Sequence, residues 1–347
     1  MAHGFDRRTA IKGLALGGSA LLGWPALAQQ GRLVVGTWGG DYAQLLSKNI
    51  ETPLLKPLGL EVVQDQAADA PRRSKLLAER RLPRGGTDVQ ALSGDNMFEM
   101  NENGALLALD YARLPNAAGL IPSLKYAYGV GQIYSGKVIV FNPQNVTTRP
   151  ASFKDAFDPK FGSKLGFIDI QHRYILTAAS LAATGGTSMT AFEPAKALLL
   201  AAKKGGARIY PTNEAFAQAL KSGEIDIGIM WKARAVQWQK AGIACDAVAA
   251  SEGIPMYISG FAIPKNAPNK DGAYAYLNAA LDPAAQLAFA TDMGYNPSVS
   301  SVVLPPDLRT RVGFTPEEEK RLLGLDFEAL AKNDAALKDW WDKVFKA

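Results

Sequence analysis

Histidine and cysteine, which often carry nucleophilic or metal chemistry, are scarce in this sequence. The 347 residues include two histidines, His3 and His172, and one cysteine, Cys245. Because His3 lies in a leader segment described below, a multi-histidine metal site is excluded, as is an intrachain disulfide. No G-x-S-x-G nucleophile motif occurs. A Cys245–His172 pair remains conceivable, but Cys245 is better interpreted as a small buried apolar residue. We expect no catalytic residue, no metal and no cofactor.

Residues 131–137, GQIYSGK, match the G-x-x-x-x-G-K core of a phosphate-binding loop. The next residue is Val138, where such a loop needs a serine or threonine to hold Mg²⁺. The segment also leads into the apolar run VIVF, whereas a phosphate loop opens a helix whose amides face the anion. We therefore predict a turn into a strand here.

Aromatic and small polar residues recur where predicted strands end. In open α/β sheets, ligands bind outside the carboxyl ends of the strands, so these residues are candidate ligand contacts. Each aromatic taken alone could equally fill a core, and Trp340 and Trp341 on the C-terminal helix are predicted to do so. The recurrence of polar-tipped aromatics favours a ligand site for the others. The candidates are Trp38, Gly39, Gly40, Tyr42, Ser93, Gly94, Asp95, Gln171, Arg173, Tyr174, Trp231, Tyr257, Ser259 and Tyr295.

Strand-like and helix-like segments alternate along the chain. Short β-rich runs such as RLVVGTW, LEVVQDQ, LGFIDI and IDIGIMW are separated by helical patterns such as RRSKLLAERR and AFEPAKALLLAAKK. This alternation predicts an α/β protein with parallel-rich sheets flanked by helices. Thr315, Pro316 and Glu318 predict the start of a C-terminal helix, with Thr as N-cap and Glu at the third position.

The N-terminus predicts an export signal. Asp6 to Gly13, DRRTAIKG, precedes a short apolar run that ends in Ala26-Leu27-Ala28. A charged segment, an apolar stretch and small residues at a cleavage point are typical of a secretory signal peptide. The paired arginines are similar to a twin-arginine signal. We expect residues 1–28 to be removed and the protein to reach the periplasm through the twin-arginine translocase.

The bulk composition is that of an ordinary globular protein, long enough for two domains. Apolar residues make up 48% and charged residues 20%. The formal charge of +5 falls to +3 without the leader, and the basic residues are scattered, unlike the clustered footprint of a nucleic-acid binder. We expect a monomer with no nucleic-acid partner.

Several stretches together resemble the periplasmic solute-binding proteins of ABC importers, specifically the spermidine/putrescine-binding-like family. They are LVVGTWGGDY, PASFKDAFDPKFGSKLGFID, IDIGIMWKARA and YISGFAIPKNAPNKDGAYAYLNAALDPAAQLAFATDMGYNPS. The last is long and combines a crossing strand, a Pro-Asn turn, two helices and a Gly-Tyr-x-Pro turn. The resemblance covers essentially the whole chain after the leader.

The resemblance implies a two-lobed type II periplasmic-binding-protein fold, hinged by crossing strands that close over a small solute. It implies delivery of that solute to ABC permease subunits in the inner membrane, with no chemistry performed on it. We expect residues 29–140 with 259–305 to form the first lobe, residues 141–258 the second, and residues 306–347 to be helices packing on the lobes.

Where this sequence departs from the family, it suggests that the ligand differs from a polyamine. Polyamine-binding members hold ammonium groups with carboxylates, but the corresponding positions here are Gln171, Tyr174 and Ser259. Arg173, Lys232 and Arg234 supply positive charge nearby. The ligand is therefore expected to be neutral or anionic, with a carboxylate paired to Arg173, although an inter-lobe salt bridge explains Arg173 equally well. Asp95 and Asp169 keep a polyamine open as the alternative.

Two other functions are compatible with an exported α/β protein. An exported α/β hydrolase or transferase is disfavoured by the missing nucleophile–base pair. A signalling module whose closed form docks a sensor uses the same lobes and cleft, so the sequence does not separate it from a transport receptor.

Overall fold

The computed structural model describes residues 31–347, so the predicted leader lies outside the described residues. Strands and helices alternate, which confirms the predicted α/β class. The strands are β1 Arg32–Thr37, β2 Glu61–Gln66, β3 Val89–Ser93, β4 Lys125–Tyr126, β5 Gly129–Phe141, β6 Leu165–Ile168, β7 Arg208–Tyr210, β8 Ile227–Trp231, β9 Asp246–Val248, β10 Ile254–Ala262, β11 Asn296–Pro297 and β12 Leu322–Leu323.

The helices lie between these strands and at the C-terminus. The first α-helix, which ends at Leu46, continues directly into a π-helical segment, Ser47–Leu55. The α-helices are α1 Asp41–Leu46, α2 Asp69–Glu79, α3 Gly94–Glu102, α4 Phe153–Ala156, α5 His172–Thr184, α6 Phe192–Lys204, α7 Asn213–Lys221, α8 Lys232–Lys240, α9 Lys270–Ala280, α10 Pro283–Met293, α11 Pro306–Val312, α12 Pro316–Glu319 and α13 Phe327–Trp340.

The helix start predicted at Thr315 is confirmed. Thr315 accepts a hydrogen bond from the Glu318 amide, and the Glu318 carboxylate accepts one from the Thr315 amide, forming a capping box at the start of α12. Among residues 31–347, none of the helices combines the length and apolar character needed to cross a membrane.

The sheet path runs β2-β1-β3-β10-β5-β8-β6-β7. β1 pairs in parallel with β2 and β3 at one end, and β6 pairs in parallel with β7 and β8 at the other. Each parallel group has its own apolar core. We call the group around β1 the first lobe and the group around β6 the second lobe.

Two antiparallel strands, β5 and β10, join the lobes. β5 pairs with β10 over its first part and with β8 over Lys137 to Phe141, so one continuous strand serves both lobes. β10 pairs with β3 on its other edge. The side chains of these strands consequently lie where the lobes meet.

The turn predicted for residues 131–137 is wrong, because this segment lies inside β5. Its glycines mark close packing instead of chain reversal. A Cβ atom on Gly131 would lie 3.0 Å from the Leu124 side chain, and one on Gly136 would lie 2.3 Å from Ile254. Glycine within a strand often marks such a close approach.

The C-terminal helix α13 packs on both lobes. Trp341 and Phe345, just after it, are fully buried in the second-lobe core. Phe327, its first residue, contacts Phe98 and Tyr126 of the first lobe, with ring centroids 6.2 and 6.3 Å apart. The core role predicted for Trp341 is confirmed, and Trp340 packs against the same core.

Gly260 in β10 should be indispensable for the strand crossing. A Cβ atom there would lie 1.9 Å from the Val130 carbonyl oxygen and 2.9 Å from the Gly131 Cα, both backbone atoms. Because backbone relaxes poorly in a packed sheet, we expect Gly260→Ala to lower the free energy of unfolding by about 3 kcal/mol or more. Urea unfolding followed by circular dichroism measures this, and a loss below about 1 kcal/mol would contradict it.

The matched control is Gly324→Ala. A Cβ atom there meets nothing within 4 Å, so the variant should unfold within about 0.5 kcal/mol of the wild type.

Candidate functional site

Four aromatic rings from both lobes and the crossing strands meet at the lobe junction. We call Tyr174, Trp231, Tyr257 and Tyr295 the aromatic cluster. The Trp231 ring lies 4.5 Å from Tyr174 and 4.7 Å from Tyr257, and Tyr257 lies 6.0 Å from Tyr295 (centroid distances). The Tyr174 and Trp231 rings meet edge to face at 88°, an arrangement that aromatic pairs prefer. The structure thus brings together four of the predicted site residues.

Strand order explains how the second lobe contributes to this cluster. Trp231 is the last residue of β8, and Tyr174 lies in the first turn of α5, which follows β6. Since β6 and β8 are parallel neighbours, the segments that follow them leave from the same edge of the sheet.

The first lobe brings Trp38 and Tyr42 to the same junction. Trp38 follows β1, and Tyr42 lies in α1, with the two rings 5.3 Å apart. Tyr42 also donates a hydrogen bond to Gln132 of β5, at 2.9 Å. Tyr42 and Tyr295 share one apolar core, against which Trp38 and Tyr257 pack. These contacts connect the first-lobe aromatics to the aromatic cluster.

Gly39 and Gly40 form the turn between Trp38 and α1. Both are exposed, and Gly40 has φ +65°, a left-handed conformation that glycine adopts without strain. They shape the loop that presents Trp38, and the structure gives them no contact with the aromatic cluster.

Ser259 lies between the two groups of aromatics. It is buried in β10, pairs across the sheet with Ser93 at the end of β3, and approaches the phenol groups of Tyr42 and Tyr257. Gly94 is the first residue of α3. A Cβ atom on it would lie 2.8 Å from the side chain of Phe327, which begins α13.

Arg173 is the centre of an ion-pair network between the lobes. Its Nη1 lies 2.6 Å from Asp95 Oδ2 of the first lobe, and its Nε lies 2.6 Å from Asp334 Oδ1 of α13. Ser93 donates a hydrogen bond to the other oxygen of Asp95 at 2.6 Å. The salt bridge that the sequence left open is therefore the arrangement in the structure, and Arg173 has partners within the protein.

This network also changes the pKa of the Asp334 carboxyl group. Burial alone would raise the pKa of Asp334, but His172 and Arg173 beside it lower that pKa well below its usual range. The folded state thus favours the ionised carboxylate, which joins α13 to the second lobe.

Lys137 of β5 is a central side chain that sequence reasoning missed. It is 0% exposed, and its Nζ lies 3.7 Å from the Trp231 ring centroid and 5.7 Å from that of Tyr174. It donates a hydrogen bond to the Gln171 side chain, and Gln171 in turn donates to Asn213 at 2.6 Å. The available signal was a single charged residue directly before the apolar run VIVF.

Arg72 of α2 is the second residue that was missed. Its guanidinium lies 4.7 Å from the Trp38 ring centroid and donates to the Ala91 carbonyl at 2.6 Å and the Ala67 carbonyl at 3.0 Å. In sequence it is one of several basic residues of an amphipathic helix, so nothing distinguished it from the solvated ones.

The other basic residues expected near the ligand point elsewhere. Lys232 donates to the Gly313 carbonyl and lies against Phe314, while Arg234 donates to Gln237. Within residues 31–347, no group of three or more His, Cys, Asp and Glu side chains is placed to hold a metal ion.

Two lobes joined by crossing strands, with an aromatic-lined junction between them, define the class of periplasmic binding proteins with the type II fold. The sequence profile of the bacterial extracellular solute-binding proteins matches residues 59–316. The chain belongs to this family, whose members are the solute-binding components of ABC transporters.

The chain is also similar to known proteins, to one in sequence and to others in fold. The chain is 26% identical over 255 residues to the spermidine/putrescine-binding periplasmic protein of Escherichia coli K12, covering 68% of this chain and 70% of that protein. A substrate-binding protein of an ABC transporter from Bradyrhizobium japonicum has a similar structure, with TM-score 0.80, 21% identity and coverage of 91% and 99%. A binding protein from Agrobacterium tumefaciens R10 in complex with agropinic acid has TM-score 0.75, 20% identity and coverage of 91% and 99%.

Removing the Asp334 carboxylate should weaken the protein in a pH-dependent way. We expect Asp334→Asn to lower the free energy of unfolding by about 1–2 kcal/mol at pH 7, since a charged hydrogen bond to Arg173 is lost in a partly exposed place. The stabilisation is present above the unfolded-state pKa of about 3.9 and is lost as the pH falls toward the lowered folded-state pKa. Denaturant unfolding at pH 7 and pH 3 should therefore show a smaller difference at pH 3.

Asp339→Asn is the matched control, because Asp339 pairs with Lys343 in an exposed position. Equal effects of the two variants at pH 7, or a difference that persists unchanged at pH 3, would be inconsistent with the network described for Asp334.

Proposed function

We propose that this protein is the extracytoplasmic receptor of an ABC importer and captures a small neutral or anionic solute by hinge closure. The observation that carries the proposal is the aromatic cluster, in which rings from both lobes and from β10 meet within 4.5–6.2 Å. Opening of the lobes would separate these rings, so a flat or aliphatic solute can enter between them. Contacts from both lobes at once would then favour the closed form.

The carboxylates around the junction argue against a polyamine. Asp95 is paired with Arg173, and Asp69 lies 3.1 Å from Arg73 Nε. Asp169, also considered for a cation, accepts hydrogen bonds from Trp341 at 2.7 Å and from Lys346 at 2.8 Å. An ammonium ligand would have to displace one of these partners, which is costly where the displaced charge is mostly buried, as at Arg173.

The proposal includes export and the absence of catalysis. The leader and the family favour the periplasm, with the twin-arginine translocase as the export route and permease subunits as the membrane partner. The described residues include one histidine, His172, which lies 3.8 Å from Asp334 and no nucleophile is paired with it. We therefore propose a monomeric carrier that returns its solute unchanged.

A thermal-shift screen of the protein lacking residues 1–28 tests the receptor function. The solutes are putrescine, spermidine, amino acids, opines, organic acids, aromatic carboxylates and their neutral amides. A solute at a hundred times its Kd stabilises the folded state by about 2.7 kcal/mol, so binding raises the unfolding temperature. We expect shifts from neutral or anionic solutes and none from polyamines. Tight polyamine binding would overturn the ligand class, and no shift from any solute would overturn the receptor function.

Trp38 should contribute more to binding than to stability. For the solute giving the largest shift, we expect Trp38→Ala to raise Kd by about 30-fold, because aromatic anchors in a closed cleft contribute about 2 kcal/mol. Isothermal titration gives Kd, and urea unfolding gives stability. Trp340→Ala is the matched control, since Trp340 is also half-buried but stacks on Phe345 at 5.5 Å, away from the cluster. Unchanged affinity in Trp38→Ala would assign Trp38 to the core alone.

A further inference from the structure

The position of Lys137 has no ordinary structural explanation. A lysine is almost never fully buried unless a carboxylate compensates it, yet Lys137 is 0% exposed and, within the described part of the chain, forms no ion pair. Its one hydrogen bond goes to Gln171, a neutral amide. The other two of its three N–H donors have no hydrogen-bond partner among residues 31–347.

The surroundings of Lys137 fix the position of its amino group. The Trp231 ring lies 3.7 Å away, close enough for a cation–π contact. Gln171 is held by Asn213, so its carbonyl oxygen is oriented toward Nζ. Trp231 and Gln171 thus hold Nζ in place, and two of its N–H donors are left without a partner among residues 31–347.

Neighbouring elements provide no hidden counter-charge. On α5, Arg173 is paired with Asp95 and Asp334. On α8, Lys232 and Arg234 are bonded to other groups. The titratable groups that face Lys137 are phenols, Tyr174 of α5 directly and Tyr257 of β10 across the Trp231 ring. Burial raises the pKa of both phenols well above their ordinary value, so neither supplies a negative charge at neutral pH.

We infer that Lys137 is the anchor for a carboxylate of the transported solute, whose apolar part packs against Trp231 and Tyr257. The carboxylate fills the two N–H positions that the protein leaves empty, while Gln171 keeps the third. This inference rests on the proposed receptor function and narrows its ligand to carboxylic acids. It also makes Lys137, on the crossing strand β5, the residue that selects the solute by its charge, in place of Arg173.

Both the stability of the protein and its affinity for a carboxylate should depend on pH through Lys137. Burial lowers the pKa of the Lys137 ammonium well below its usual range, whereas in the unfolded chain that pKa is about 10.4. Between these values the unfolded state binds one more proton, so stability rises with pH in this window. A bound carboxylate restores the ammonium, so carboxylate affinity should fall as the pH rises through the same window.

The test compares wild type, Lys137→Met and Lys232→Met by isothermal titration. The probes are butyrate, 4-aminobutyrate, succinate, benzoate, phenylacetate and an opine, each beside its amide, with putrescine as the cation. We expect at least one carboxylate to bind in preference to its amide and Lys137→Met to weaken it by more than about 30-fold. Lys232→Met, a lysine on an aromatic ring outside the cluster, should bind as the wild type does.

A second measurement needs no ligand. Below pH 10 the unfolding free energy of the wild type should rise more steeply with pH than that of Lys137→Met, because the folded wild type releases the Lys137 proton at a lower pH than the unfolded chain does. Identical pH profiles would overturn the inference, as would equal carboxylate affinity in Lys137→Met or preference for the amides. Binding of amides or putrescine unaffected by Lys137→Met would overturn the anchor but leave the receptor function standing. No binding of any probe, with no shift in the wider solute screen, would overturn both.

Discussion

The site depends on the close antiparallel crossing of β5 and β10. One strand, β5, supplies sheet edges to both lobes, and β10 packs so tightly on it that only a hydrogen atom fits at Gly260 beside the Val130 carbonyl. Lys137, Tyr257 and Ser259 all lie on these two strands. Their mutual positions are therefore set by the backbone hydrogen bonds of the sheet.

Charge is distributed differently at the edge and the centre of the junction. At the edge, Arg173 joins Asp95 of the first lobe and Asp334 of α13, so acids and bases satisfy one another. At the centre, Lys137 is surrounded by rings and an amide. Because an unpaired buried charge is costly, the edge is satisfied by the protein's own residues, whereas at the centre Lys137 has no carboxylate beside it.

Sequence reasoning found the residues whose position follows from strand order. Tyr174 and Trp231 follow predicted strands that are parallel neighbours, β6 and β8, and the carboxyl ends of such strands share one sheet edge, so their convergence was foreseeable. Lys137 was not, because the GQIYSGK segment was interpreted as a turn when its glycines instead admit Leu124 and Ile254 against β5. Arg72 was missed because an amphipathic pattern does not reveal which basic residue turns inward to an aromatic ring.

The sequence by itself determined the α/β alternation, the local helix start at Thr315, the lack of a multi-histidine or disulfide framework, and the family. These depend on composition, periodicity and neighbouring residues. Only the tertiary structure decided the charge of the site: it paired Arg173 with Asp95 and Asp334, and it left Lys137 without a carboxylate. The reason is that a side chain's charge acts through the partners that it contacts in space. Asp95 and Asp334 lie 78 and 161 positions from Arg173 in the chain, and only the folded structure brings them into contact with it.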